Sequence, residues 1–177
     1  PISFAQRMVW GNRPAFTSIR PQVEVLKTPQ LDFQLIPVPG HAPDMIALYE
    51  PERRWLFSAD LYVHQYIGYM LLEESIWEQI HSIRRVLEFD FDILLCGHNP
   101  QLKNGKALLE KKLRYLEDFY RGEAELHLKG HRSHDIFKLL NLKENRRVKW
   151  LSGGQLSKIN MVKSVVRDCI NRPPLPA

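Results

Sequence analysis

The sequence predicts a mixed α/β (α+β) fold that gives way to a mostly helical appendage. Three observations carry this expectation. Short runs with strand periodicity, separated by turn residues, fill positions 31–58. One amphipathic helix then leads into a further strand-like run that ends at Cys96. From Asn104 onward strand patterning stops, and helical stretches broken by glycine replace it.

The elements follow in order. Residues 1–30 read as irregular, with one short helix around Phe4–Trp10, and Pro14, Pro21 and Pro29 punctuating the rest. Leu31–Val38 alternates apolar and polar residues, which is a strand pattern, and Pro39-Gly40 ends it. Met45–Tyr49 and Trp55–Ser58 flank the turn Glu50-Pro51-Glu52-Arg53 and read as a hairpin. Tyr62–Leu72 is aromatic and has no clear period. In Glu73–Phe89 the spacing of Ile76, Ile80, Ile83 and Leu87 gives one apolar face. Glu73 and Glu74 suit the positive end of that helix, and Arg84 and Arg85 suit its negative end. Phe91–Cys96 is a strand stopped by Gly97-His98-Asn99-Pro100.

The appendage opens with a helix over Asn104–Gly122 that extends toward Leu128, with Leu108, Leu109, Leu113, Leu116 and Phe119 as its stripe. Gly130 breaks it, and Ser133 is a suitable N-cap for a short helix to Leu140. Lys143–Lys149 reads as a charged connection, Ser152-Gly153-Gly154 as a turn, and Gln155–Ile170 as a final helix. The proline-rich end from Arg172 should fray. A helix-turn-helix arrangement fits this order. The expected organisation is therefore one unit over 1–102 and a basic helical appendage over 103–177.

Length and 44% hydrophobic content suffice for one core with such an appendage. The sequence starts at Pro1 rather than Met, so a processed, trimmed or excised piece of a longer protein is expected. No apolar run approaches the roughly 20 residues that cross a bilayer, which excludes a spanning helix. Cys96 and Cys169 have no disulfide spacing and suit a reducing, cytoplasmic setting. Charge is uneven: residues 1–102 carry 8 Lys and Arg against 12 Asp and Glu, whereas 103–177 carry 17 against 8. The basic half suits phosphates or acidic partners, or is simply a solvated helical surface.

His41, Asp60 and His98 each follow a predicted strand. Imidazole and carboxylate suit Zn²⁺ and similar divalent ions. Gly40 and Gly97 precede the two histidines and would let the backbone turn each imidazole across a sheet rim. In the order PGHAPD, LFSAD and LLCGH, these residues resemble the C-terminal half of the metallo-β-lactamase-fold hydrolases. The helical tail, HRSHDIFKLL to RRVKWLSGGQLSKINMV, is similar to the winged-helix-like appendage of a branch with thioesterase-like and endoribonuclease-like members.

That resemblance implies the C-terminal half of an αββα metallo-β-lactamase sandwich. It also implies metal-dependent hydrolysis at two Zn²⁺ ions, with a metal-bound hydroxide as nucleophile. His41 and His98 would each hold one ion, and Asp60 would bridge them. The substrate would be a thioester, an ester or lactone, or a phosphodiester. Asp44 is either a partner that orients His41 or a turn carboxylate bonded to its own backbone. His64, Tyr66 and Tyr69 either line a substrate cleft or pack as ordinary aromatics.

The departures decide what the chain does alone. The family's His-x-His-x-Asp-His motif is absent, and His127, His131 and His134 have neither its spacing nor its place. Four of the seven expected ligands are missing, so the chain alone should bind zinc weakly and hydrolyse nothing. Ala59 stands where relatives usually have Gly, and Met45 where many have a polar residue. LSGGQ at 151–155 matches the signature pentapeptide of ABC-transporter ATPases, but no Walker A loop accompanies it. It reads locally as a Gly-Gly turn before a helix. The competing expectations are a nucleic-acid-binding module that grips RNA or DNA with the basic tail, and a fragment that needs a missing N-terminal half to fold. Oligomerisation is left open.

Overall fold

Turns at Thr28–Leu31 and Pro51–Arg54 fold the first part of the chain into an antiparallel meander. A computed structural model describes residues 23–173 and Leu175. Strands β1 (Val25–Lys27), β2 (Asp32–Pro37), β3 (Ile46–Glu50) and β4 (Trp55–Phe57) pair antiparallel in sequence order. Strand β5 (Ile93–Leu95) joins β4 in parallel after a helical crossover, completing a five-stranded sheet. The expected helix around Phe4–Trp10, and Pro14 and Pro21, lie outside the described residues.

Strand β1 falls in a stretch expected to be irregular. It forms because the Thr28 hydroxyl donates to Leu31 O and accepts from Leu31 N–H, closing a tight turn around Pro29. All three β1 residues are exposed, so the edge strand carries no alternation for a sequence reading to detect.

The sheet has two different faces. Ile36, Ala47, Tyr49, Leu56 and Leu94 point into the core. On the other face Leu35, Leu48, Phe57 and Leu95 form a continuous cross-strand row, each only half-buried. Phe33 meets Phe57 edge-on there at 5.8 Å.

Helix α1 (Ile76–Leu87) covers the core face with Ile76, Ile80, Ile83 and Val86. Val86 takes the place expected of Leu87, which is half-buried. Ser75 is the N-cap and accepts from Glu78 N–H, so Glu73 and Glu74 precede the helix rather than opening it. Helix α2 (Gly105–Leu128) runs uninterrupted to the expected outer limit. Its buried stripe is Gly105, Leu109, Lys112, Leu116, Tyr120 and Glu123, two of them charged. A hydropathy reading cannot place charged residues in a buried stripe.

Helix α3 (Ser133–Leu139) has Arg132 as its N-cap, with Ser133 the first helical residue. The expected charged connection contains a short helix, α4 (Arg146–Leu151), started by the Asn145 side chain on Val148 N–H and burying no residue. Helix α5 (Lys158–Asn171) begins three residues later than expected, after Ser157. Glu144 accepts from the Ser157 hydroxyl and from Ile159 N–H, satisfying donors that a helix start leaves free. The tail is helical, and among the described residues it contains no hairpin that could serve as a wing.

One core cluster spans the sheet, α1, Leu109, Leu116 and Tyr120 of α2, and Met161 and Val165 of α5. Its side chains come from both sides of the 102–103 junction. A small second cluster joins Ile136 of α3 to Ile159 and Val162 of α5. No helix among the described residues is long and apolar enough to cross a membrane.

Glu123 is fully buried, and neither carboxyl oxygen has a hydrogen-bond partner among the described residues. Burial pushes its pKa up to about 9, opposed by the nearby Lys158 charge. The folded chain therefore holds a proton that the unfolded chain releases above about 4.5. Stability contributed at this position is lost as pH rises through that window. Glu123→Gln should flatten the loss: between about pH 5 and pH 9 the wild-type melting temperature should fall relative to the variant. Parallel melting profiles would refute it.

Candidate metal centre

Strand direction brings the three candidate ligands together. β2 and β4 are both antiparallel to β3, so they run the same way, and β5 is parallel to β4. The C-terminal ends of β2, β4 and β5 therefore share one rim. His41 follows β2, Asp60 follows β4 and His98 follows β5.

Local backbone explains how each residue reaches the rim. Gly40 has φ 136°, and a Cβ there would sit 2.6 Å from Gln79 Cγ and 2.7 Å from Gln79 N. The Gly40 carbonyl accepts from Ser75 N–H, so the His41 loop is seated on the start of α1. Gly97 behaves otherwise: its φ is not positive and a Cβ would meet open space. Both glycines are expected to let the chain turn; a steric need for glycine exists at Gly40 and not at Gly97. Ala59 opens the 3-10 turn Ala59–Leu61 at φ 47°, a left-handed conformation that favours Gly.

Asp60 lies between the two imidazoles. Its Oδ2 is 3.4 Å from His41 Nε2, and its Oδ1 is 3.2 Å from His98 Nε2. Two donors bound at about 2.0–2.2 Å to one tetrahedral ion stand about 3.3–3.6 Å apart. The His41 pair falls in that range and the His98 pair just below it, and both are also within direct imidazole–carboxylate contact. The donors fit zinc in type and pairwise spacing, but not in number. Each pair addresses a different carboxylate oxygen, and among the described residues no set of three or more His, Cys, Asp or Glu converges on a single point.

The partner of His41 is Glu74, not Asp44. Asp44 is exposed, whereas the Glu74 side chain is 8% exposed and its Oε2 lies 3.2 Å from His41 Nδ1. Glu74 also accepts from Leu71 N–H through Oε1 and from Gln79 Nε2 through Oε2. Glu74 lies 33 positions from His41 in the chain, and only the docking of the His41 loop on α1 joins them. The Glu74 hydrogen bond raises the His41 pKa; burial opposes it and Asp60 adds to it.

Beneath the rim lies a second residue that the pattern did not reveal. Lys112 is 2% exposed and donates to Leu61 O at 2.6 Å, tying α2 to the turn that carries Asp60. Burial pushes its pKa down to about 8, while Glu74, Asp60 and Cys96 pull it back up. A positive charge under a rim of carboxylates offsets part of their mutual repulsion.

His64, Tyr66 and Tyr69 are exposed, with Tyr66 edge-on to Tyr115 at 5.2 Å. A cleft of about 380 Å³ is lined by Leu72, Glu73, Gly153, Gly154, Gln155, Asn160 and Lys163. The LSGGQ segment contributes its glycines to that cleft at φ 62° and 84°. His127 sits at the end of α2, near the His131 carbonyl rather than another imidazole. Cys96 and Cys169 are free and pack against the core.

This sheet, with helices on its core face and its ligand-type residues on one rim, defines a metallo-β-lactamase-type fold. Residues 20–98 match the family model of the metallo-beta-lactamase superfamily. An uncharacterised protein of Aquifex aeolicus is 33% identical over 86 residues, covering 47% of this chain and 41% of that protein. A beta-lactamase domain protein from Burkholderia ambifaria shares the fold at TM-score 0.58 and 12% identity, over 89% of this chain and 47% of that one. A stereoselective inverting sec-alkylsulfatase from Pseudomonas sp. does so at TM-score 0.58 and 20% identity, over 82% and 26%. The chain thus spans less than half of each of these relatives.

Replacing Glu74 by Gln removes the group that raises the His41 pKa. NMR titration of the imidazole should show a lower pKa for His41 in Glu74→Gln than in the wild type. An unmoved His41 would show that Glu74 does not govern it.

Proposed function

We propose that this chain forms part of the active site of a metal-dependent hydrolase, with His41, Asp60 and His98 as three of its metal donors. The observation that carries the reading is the pair of 3.2–3.4 Å separations, one imidazole on each oxygen of Asp60, at one rim of the sheet. The superfamily match over residues 20–98 supports it.

Within this reading the two ions are zinc, and the substrate is an ester, thioester, lactone or phosphodiester. The chemistry that bound zinc supplies is an acidified water and a Lewis acid for the substrate oxygen. This chain's own residues do the rest. Asp60 fixes the separation of the two imidazoles, Glu74 holds the His41 ring in one orientation through Nδ1, and Lys112 anchors the turn behind Asp60. A catalytic zinc normally takes three protein ligands, and each pair here supplies two. On this reading further donors would have to come from outside the three residues named. The free thiols suit a cytoplasmic setting.

Zinc titration of the 177-residue chain tests this directly. Binding should be weak, no tighter than micromolar, and His41→Ala or His98→Ala should weaken it further. The same chain extended upstream to include a His-x-His-x-Asp-His segment should bind two ions stoichiometrically and hydrolyse a thioester or phosphodiester. Zinc binding indifferent to both substitutions would remove the assignment. Tight binding by the 177 residues alone, abolished by His41→Ala, would overturn the division of the site between two segments.

A further inference from the structure

The segment Ile67–Trp77, which carries Glu74, has little regular structure before α1, yet its backbone is held at almost every step. The Ile67 carbonyl accepts from Tyr115 Oη at 3.0 Å and from Lys158 Nζ at 2.8 Å. Met70 and Ser157 exchange both backbone hydrogen bonds, and Asn160 Nδ2 adds a third contact on Met70 O at 3.0 Å. Arg167 reaches the Leu72 carbonyl with Nη1 at 2.8 Å and the Glu74 carbonyl with Nη2. Ile76 N–H donates to Ser164 Oγ at 3.0 Å, and Trp77 N–H donates to Asp168 Oδ2 at 3.3 Å. With one exception, Tyr115, these partners lie on α5 or its N-cap. They include buried polar residues on a helix face that otherwise buries Met161, Val162 and Val165.

We propose that α5 is a positioning element of the candidate metal centre, and that Asn160 and Arg167 are the residues through which it acts. The connection is short. Asn160 and Arg167 fix the carbonyls of Met70, Leu72 and Glu74; this geometry lets Glu74 Oε1 close onto Leu71 N–H; and Oε2 is then presented to His41 Nδ1. A carboxylate held at both oxygens cannot rotate away from the imidazole it orients. The tail is on this account part of the site's framework rather than a separate binding module. The inference rests on the reading of His41 as a metal donor, but the coupling from α5 to His41 is measurable without metal.

The test uses the full 177-residue chain in four forms: wild type, Arg167→Met, Arg167→Lys and Asn160→Ala. Amide hydrogen exchange is followed at Leu71 and Ile76, and the ring nitrogens of His41 are observed by NMR at one fixed pH. Arg167→Met should speed exchange at Leu71 by about tenfold or more and shift the His41 Nδ1 signal as its hydrogen bond to Glu74 is lost. The centre of α5 should stay protected. Arg167→Lys, which keeps the charge but not the fork that reaches two carbonyls, should fall between the two. If Arg167→Met loosens the whole chain, Asn160→Ala decides, since it removes bonds only to the Met70 and Gln155 carbonyls. Unchanged Leu71 exchange and an unchanged His41 spectrum in a folded variant would overturn the proposal. A responsive His41 in a chain whose zinc binding ignores His41→Ala would overturn the metal reading and leave the coupling standing. Zinc binding that depends on His41, with an unresponsive loop, would do the reverse.

Discussion

The site depends on a constraint of strand direction. Because two antiparallel steps restore the original direction, β2 and β4 end on the same side, and the parallel addition of β5 puts a third strand end beside them. Residues more than fifty positions apart in the chain, His41 and His98, are thereby held on opposite oxygens of one carboxylate. A one-residue slip of β4 would exchange the faces of Leu56 and Phe57 and shift the following turn, which carries Asp60, along the rim. The buried row Ile36, Ala47, Tyr49, Leu56 and Leu94 makes such a slip costly, since it would expose the core side chain Leu56 and bury its half-exposed neighbours. The packing of one face thus fixes which side chains meet at the rim.

Buried charge is the second theme. Lys112 and Glu123 share the inner stripe of α2, and each has been solved differently. Lys112 has a carbonyl partner and lies close to the rim carboxylates, so its charge is used. Glu123 has no partner and is held neutral by burial. Two ionisable residues at i and i+11 on one helix face therefore carry opposite burdens: one stabilises the site, and the other costs stability away from it.

Much of the fold was legible because it follows periodicity. Four of the five strands, α1, α2 and α5 lie where alternation or helical spacing places them. What was hidden shares one physical trait: it depends on contacts across the chain or on side chains that cap backbone. β1 is exposed on every residue and so shows no pattern; α4 buries nothing; and the helix starts at Ser75 and Ser157 are fixed by side-chain acceptors rather than by apolar spacing. The same holds at the site. That His41, Asp60 and His98 meet at one rim could be read from their positions after strands, because topology alone brings them together. Glu74 could not, since a glutamate before an amphipathic helix looks like a dipole partner. Its role follows only from Gly40 admitting the close approach of the His41 loop to Gln79. Lys112 hid within a helix that also carries a half-buried Lys106 and an exposed Lys111, and helical spacing does not tell the three apart.

The bridge between Met70 and Ser157 has a consequence for the order in which the molecule acquires shape. The hydrogen bonds from α5 to the 67–77 segment span about ninety residues of chain, for instance Lys158 to Ile67 and Asn160 to Met70. Contacts of that separation carry a large loop-closure cost and form late. During synthesis the meander and α1 can pair as soon as they emerge, while the stretch that holds Glu74 must wait for residues 157–168. The rim would then be the last part of the sheet to become rigid, and a chain stalled before α5 would display a formed sheet with an unset histidine.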